Sequence, residues 1–450
     1  MHACQMKRLT KMKKNFIEEL RWRGMLHDAM PGTEEQLNKE MTVGYIGFDP
    51  TADSIHIGNL ATLMMLKHLQ MAGHKPVALV GGATGMVGDP SGKSAERNLL
   101  DVKTLRHNEA AIGKQLAKFL DFDCGENSAE LLNNYDWFGQ MNFLEFLRDV
   151  GKHLTINYMT AKDSVKKRLE SGLSFTEFSY QLLQGYDFFW LNKNKNCKIQ
   201  MGGSDQWGNI TTGTELIRRM GGGNAFAVTC PLITKTDGSK FGKSVGGNVW
   251  LDPKRTSPYK FYQFWLNVDD SETSKLLRVF TLLDQETIEK HEADYANDPR
   301  MLKRILAEEV TRMVHSQEEL DRAQKASGLL FGKSTLEDFE TTDEATLLDV
   351  FEGIPKKNYT KAEFDAFDST VDLIASAMTE DEAKPVSKSE VRRLIKNNGI
   401  KINQKAVTKD QGESKPEFGL LKDKFLLIKK GKKYFLVTVG VVQRAAEVEV

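Results

Sequence analysis

Two short clusters of residues in this chain have the makings of an anion site. His56-Ile57-Gly58-Asn59 stands between an apolar run at Val43 to Phe48 and a second at Leu60 to Gln70. The first run is short and closed by Pro50, so it reads as a buried strand. The second is long enough for a helix, and Gly73 would end it. A helix that starts at such a turn carries unpaired amides and about half a positive charge at its first turn, which suits a phosphate. Far downstream, Lys240-Phe-Gly-Lys243-Ser244 sets two lysines three residues apart among Gly238, Gly242, Gly246 and Gly247. The glycines let such a segment close over a ligand, and a lysine ammonium is a compact charge for a leaving phosphate. Each cluster alone is weak evidence. A histidine before a helix is more often structural, and KxxKS is mostly a surface charge cluster.

A third cluster lies in Ser174 to Asp187, which is helical by composition. Tyr180, Gln184 and Asp187 fall at i, i+4 and i+7 and share one face. On a buried face they would need partners, whereas a polar stripe facing water needs none, and periodicity alone favours water. Two apparent nucleotide motifs fail on spacing. Gly88 to Ser94 resembles a P-loop, but the position that should be glycine is Val87. Gly81 to Gly85 lacks the spacing of a dinucleotide fingerprint.

Taken together the clusters carry a resemblance. His56 to Asn59 resembles the HIGH signature of class I aminoacyl-tRNA synthetases, with Asn59 in place of the second histidine, and Lys240 to Ser244 resembles their KMSKS loop, about 185 residues later. The runs Tyr45 to Ser54, Gly81 to Pro90, Phe175 to Asp187 and Gln200 to Asn209 look like bacterial-type tyrosyl-tRNA synthetases. The likeness covers most of residues 40–265. It implies that Tyr45 and Asp187 bracket a phenol, that Tyr180, Gln184 and Asp89 receive an ammonium, and that Asn134, Gln200 and Gln206 complete the polar lining. It implies ATP contacts from Gly47, Asp49, Gly58, Gly203 and Asp205, with Thr51 near the α-phosphate. Gly58 would let adenine approach the backbone. His56, Asn59, Lys240, Lys243 and Ser244 would serve the reaction, and Lys93 and Arg97 fall where the family has further basic residues. ATP would enter as a substrate with Mg2+, and tyrosine and tRNA(Tyr) would be the partners of a homodimer. Two other readings remain: a tryptophanyl enzyme, which shares both signatures, and an RNA-binding protein on a retired synthetase scaffold.

The rest of the chain must position these residues. At 450 residues it is too long for one ordinary core. Strand, helix and strand over residues 43–80 make a βαβ unit and so a parallel sheet. The expected fold class is α/β: a Rossmann-like parallel-sheet catalytic domain over 15–250, an α-helical domain over 251–340, and a small α+β S4-like RNA-binding domain over 370–450. A frayed extension at 1–14 and a linker at 341–369, rich in Thr, Asp and Glu, complete the division. In the helical domain Leu302, Ile305, Leu306, Val310, Met313 and Val314 share a face.

Lysines plus arginines equal aspartates plus glutamates at 62 each, which excludes a protein basic all over. The charge is local. From Lys384 to Lys433 there are 15 basic and 5 acidic residues, a balance of +10 (15 − 5). Such a module suits a polyanion, and the resemblance assigns tRNA contacts to Lys388, Arg392, Arg393, Lys396 and Lys401. Ser387 and Glu390 form a capping-box pattern, Gly399 ends that helix, and Asn403-Gln404-Lys405 turns a hairpin. The four cysteines make no CxxC, so no zinc site is expected, and free thiols fit a cytoplasmic protein. No apolar run is long enough to span a membrane.

Overall fold

The structure is a computed structural model that describes residues 15–91, 100–169, 172–236, 238–239, 241–244, 247–331, 335–431 and 433–440. The extension at 1–14, with Cys4 and Met12, and the basic residues Lys93, Arg97 and Lys240 lie outside the described residues. Contacts divide the chain into two compact units: one up to Thr256 together with Phe264–Val310, the other Ser257–Gln263 with residues from Thr311 onward.

The first unit is built on a six-stranded sheet. Its strands are β1 (Asp28–Ala29), β2 (Val43–Phe48), β3 (Lys75–Val80), β4 (Glu130–Asn133), β5 (Cys197–Gly203) and β6 (Phe226–Cys230), in the order β1-β6-β5-β2-β3-β4. All pairs are parallel except β1 with β6. Four helices matter for the site: α1 (Ile57–Met71), α2 (Val102–Phe119), α3 (Phe175–Lys195) and α4 (Trp207–Arg219). β2 and β3 read as near-continuous apolar runs because both faces of a parallel sheet are covered. The strand order reverses at β2, whose neighbours are β3 on one side and β5 on the other. Ligands of open parallel sheets bind beyond the carboxyl ends of the strands at such a reversal. The loops there are Asp49–His56 after β2, Gly81–Thr84 after β3, Asn134 after β4 and Ser204–Gln206 after β5. A short hairpin, β7 (Lys243–Ser244) with β8 (Gly247–Asn248), belongs to the KFGKS segment.

The second unit holds a five-stranded sheet of β9 (Lys356–Tyr359), β10 (Ile400–Ile402), β11 (Lys405–Ala406), β12 (Phe425–Lys430) and β13 (Lys433–Val439), in the order β11-β10-β12-β13-β9. The strand period of two sorts its side chains cleanly. Leu426, Ile428, Phe435 and Val437 face α5 (Thr370–Met378) and α6 (Lys388–Lys396). Phe425, Leu427, Tyr434 and Leu436 face Leu329, Phe339, Leu347 and Phe351. The stretch 341–369, read from composition as a linker, contains a helix at Glu344–Val350 and strand β9, which pairs in parallel with β13. The left-handed residue just beyond the end of α6 is Asn398, with φ of 53°, and not Gly399. Ser387 accepts from the Glu390 amide at 3.2 Å, but the Glu390 carboxylate reaches Lys430 at 2.9 Å instead of closing the capping box. Cys124, Cys197 and Cys230 are free thiols. Among the described residues no helix is long and apolar enough to cross a membrane.

Candidate active site

The loops at the sheet's reversal enclose a cavity of about 640 Å³. Sixteen of the residues singled out in the sequence line it: Tyr45, Gly47, Asp49, Thr51, His56, Gly58, Asn59, Asp89, Asn134, Tyr180, Gln184, Asp187, Gln200, Gly203, Asp205 and Gln206. Lys243 is not in its wall and is exposed.

One end of the cavity is a closed polar network. Asp187, on α3, is 2% exposed. Its two carboxylate oxygens accept hydrogen bonds from Trp137 Nε1 at 2.9 Å and Asn134 Nδ2 at 3.0 Å. Asn134 is itself fixed, because its Oδ1 accepts from the Ala83 amide at 2.7 Å and its Nδ2 also reaches Thr84 Oγ1 at 3.0 Å. Burial pushes the Asp187 carboxyl up to about 8, and the Asn134 and Trp137 donors offset only part of that shift. Tyr45, on β2, packs its ring against Phe188, and its hydroxyl is buried with no hydrogen-bond partner among the described residues. Burial and the nearby Asp187 hold that hydroxyl well above the ordinary range, so it stays a neutral donor. Gln200 Oε1 is likewise buried and unpartnered. An orphaned buried polar group costs about 1–3 kcal/mol, a cost that a ligand supplying the missing partner removes. The face of α3 chosen by spacing thus points inward and not to water.

A second network lies beside the first. Tyr180 Oη donates to Asp49 at 2.7 Å, and Thr84 Oγ1 donates to the other Asp49 oxygen at 2.7 Å. Gln206 Nε2 donates to Asp89 at 2.7 Å. Asn209 Nδ2, on α4, reaches Gln184 Oε1 at 3.1 Å and Gln206 Oε1 at 3.2 Å. Two acids, Asp49 and Asp89, and the side-chain carbonyl oxygens of Gln184 and Gln206 therefore converge where a cationic group could sit. Trp137, Thr84 and Asn209 were not singled out from the sequence. Nothing in their spacing separates them from core residues, and only the fold brings their donors to these acceptors.

The opposite end is organised by backbone. His56 caps α1 with an extended φ of −108° and no side-chain capping bond. The sequence suggests free amides here, but two are spoken for. Ile57 N–H donates to Val249 O at 2.9 Å, and Asn59 N–H donates to His56 O at 2.9 Å. The side chains of Thr51, His56 and Asn59, which line the cavity, are therefore as available to a ligand at this end as the remaining amides. A Cβ on Gly58 would lie 2.8 Å from the His56 ring, so glycine there leaves room for the imidazole as well as for a ligand. Gly242, at φ +84°, lies against this turn: a Cβ on it would sit 3.1 Å from Gly58 N. Gly242 is thereby placed directly against the HIGN turn. Phe241 anchors it among Phe264, Trp265 and Phe280.

Comparison with known proteins identifies the family. The family described as tRNA synthetases class I (W and Y) matches residues 37–332. The tyrosine–tRNA ligase SYY-like C-terminal domain matches residues 347–438. The chain is 60% identical over 427 residues to a tyrosine–tRNA ligase of Cytophaga hutchinsonii, covering 94% of this chain and 99% of that protein. It is 59% identical over 433 residues to a tyrosine–tRNA ligase of Porphyromonas gingivalis, covering 94% and 100%. The crystal structure of a C-terminally truncated Aspergillus nidulans mitochondrial tyrosyl-tRNA synthetase aligns with a TM-score of 0.63 at 30% identity, over 73% of this chain and 97% of that one.

Proposed function

Because the chain belongs to the class I tRNA synthetase family and, over nearly its whole length, to its tyrosine–tRNA ligases, we propose a residue-level account of how it activates tyrosine with ATP and charges tRNA(Tyr). The observation that carries the account is the closed end of the cavity. An Asp187 carboxyl braced by Trp137 and Asn134, beside the orphaned Tyr45 hydroxyl, offers one acceptor and one donor to a phenol. Phenylalanine would leave both unpaired, and an indole would not satisfy both. Tyr180, Gln184, Asp89 and Gln206 take the substrate's ammonium, and Gln200 completes the lining.

The tyrosine carboxylate is already ionised and needs no general base. It attacks the α-phosphate of ATP in line, giving tyrosyl-adenylate and pyrophosphate. The 3′-terminal ribose hydroxyl of the tRNA then attacks the acyl carbon and AMP leaves. Catalysis is positioning and charge stabilisation. Asp49, Gly47, Gly58, Gly203 and Asp205 hold the nucleoside, Thr51, His56 and Asn59 meet the α-phosphate region, and Lys240, Lys243 and Ser244 meet the departing pyrophosphate. Magnesium arrives with ATP, held by phosphate oxygens and water. Among the described residues no cluster of three His, Cys, Asp or Glu offers it a resident cage.

The division into a catalytic domain at 15–250, a helical domain at 251–340 and an S4-like module at 370–450 belongs to the same proposal. In that module Arg393, Lys396 and Lys401 make no salt bridge among the described residues, whereas Lys388 pairs with Asp372 at 2.6 Å and Arg392 with Glu413 at 2.7 Å. All five meet tRNA phosphates. Arg392→Glu with Arg393→Glu and Lys396→Glu should lower charging at least tenfold and leave pyrophosphate exchange unchanged, measured side by side. The enzyme acts in the cytoplasm as a homodimer. Exposed apolar side chains gather in one stretch of chain, at Phe143, Leu144, Ile156, Leu169 and Phe175, and a second copy would cover them.

The decisive assay is amino-acid-dependent exchange of pyrophosphate into ATP. Exchange with tyrosine and not with tryptophan or phenylalanine supports the account. Exchange with tryptophan supports the other branch of the family, and none at all supports a retired scaffold.

A further inference from the structure

The strand that follows the KFGKS segment is tied to the turn carrying His56 by side chains as well as backbone. Ile57 N–H donates to Val249 O, Leu251 N–H donates to Ile55 O at 2.9 Å, and His56 forms a β-bridge with Trp250. Asp252 N–H donates to Ser54 Oγ at 3.1 Å. The Asp53 carboxylate forms a salt bridge with Arg255. The Arg255 guanidinium lies over the Trp250 indole, 4.8 Å from its centroid. The indole in turn meets the His56 imidazole edge-on, with centroids 5.8 Å apart at 68°. These contacts form one line: carboxylate, guanidinium, indole, imidazole.

We propose that Arg255 is a positioning residue for His56. It lines no part of the cavity and acts only through Trp250. The need is physical. His56 stands at the N-cap of α1, makes no capping bond with its side chain, and meets the Trp250 indole with its ring. A flat, cationic guanidinium holds an indole face by cation–π attraction and stacking, and Asp53 fixes the guanidinium. The imidazole of His107 also lies near Asp53, at 3.9 Å, and is mostly exposed. The Arg255 side chain is 41% exposed, so its loss should cost the fold little, which points to orientation as its role. The inference rests on the reading of His56 as a ligand of the reacting phosphate.

The test is a double-mutant cycle on the full-length enzyme, read by the pre-steady-state rate of tyrosyl-adenylate formation. Tyrosine affinity and the melting midpoint are measured in parallel. Arg255→Ala should slow activation about tenfold and leave tyrosine affinity and melting unchanged. In a His56→Ala background it should have no further effect. Arg255→Lys, which keeps the charge but loses the planar stack, should recover part of the rate. If Arg255→Ala unfolds the protein, Asp53→Asn gives the same cycle with a loss of about threefold, because it removes only the ion pair. Equal losses in both backgrounds, no loss at all, or weakened tyrosine binding in step with the rate would overturn the proposal. A normal rate in His56→Ala would remove the reading of His56 itself. A slow His56→Ala beside a normal Arg255→Ala would remove only the brace.

Discussion

The two ends of the cavity are built on opposite principles. At the amino-acid end the orienting contacts are mainly side-chain hydrogen bonds, and Asp187, which accepts two of them, is 2% exposed. At the other end, proposed for the phosphates, backbone bonds between residues 55–57 and 249–251 join the Arg255–Trp250–His56 contacts, and Lys243, the cation proposed to act there, stays exposed. The difference matches the tasks. Choosing a phenol over a bare ring requires that water cannot stand in for the missing hydroxyl, so the choosing groups are desolvated. Neutralising a departing pyrophosphate requires charge that can arrive and leave, which a flexible, hydrated lysine supplies.

Substitutions at the buried end should therefore change which substrate is used, and they test the contrast most severely. Asp187→Ala removes the acceptor and leaves the Trp137 and Asn134 donors unpaired. At about 1–3 kcal/mol for each unpaired group, preference for tyrosine over phenylalanine in exchange assays should fall by about 100-fold or more. Undiminished discrimination would mean that the pocket does not choose through the phenol. Trp137→Phe is milder. The ring still stacks on Trp190, at 4.2 Å and 14°, but the N–H to Asp187 is gone. Tyrosine should bind about tenfold more weakly, as for a lost hydrogen bond to a carboxylate, with the activation rate at saturating tyrosine little changed. A fall in rate alone would blur the division between the two ends.

The smallest effect is in pH. The free enzyme keeps a proton on Asp187 up to about 8, whereas an unfolded aspartate releases it near 4. The folded state thus binds the extra proton between those values, and its stability falls as pH rises through that window. Wild type should lose melting temperature relative to Asp187→Asn between pH 5 and pH 8. Tyrosine binding works the other way. A phenol donating to the carboxylate needs that proton gone, so affinity should drop a few-fold from pH 8 to pH 7, read by equilibrium dialysis, and Asp187→Asn should abolish the dependence.

Much of this was legible in the sequence, and what was not has a common cause. The apolar runs 43–48 and 75–80 are strands with those bounds, because a strand buried on both faces leaves an unbroken signature. The polar residues at 180, 184 and 187 were visible as a helical face, but only the fold shows the face turned inward. Trp137 and Thr84 escaped notice because their partners lie 50 and 35 residues away. Glu390 looked like half of a capping box until β12 brought Lys430 beside it. At Asn398, asparagine took the left-handed position expected of the next residue, Gly399. Local pattern reveals elements and local caps. Competition from residues distant in sequence decides which of several local bonds is made.

The contrast between the two ends rests on one measurement above the others: the pre-steady-state rate of tyrosyl-adenylate formation by Lys243→Ala across a range of tyrosine concentrations. That single experiment reports both affinity and rate. The account predicts an activation rate lower by about 10²–10³ with the tyrosine dissociation constant unchanged. An unchanged rate, or a dissociation constant that rises in proportion to the lost rate, would contradict it.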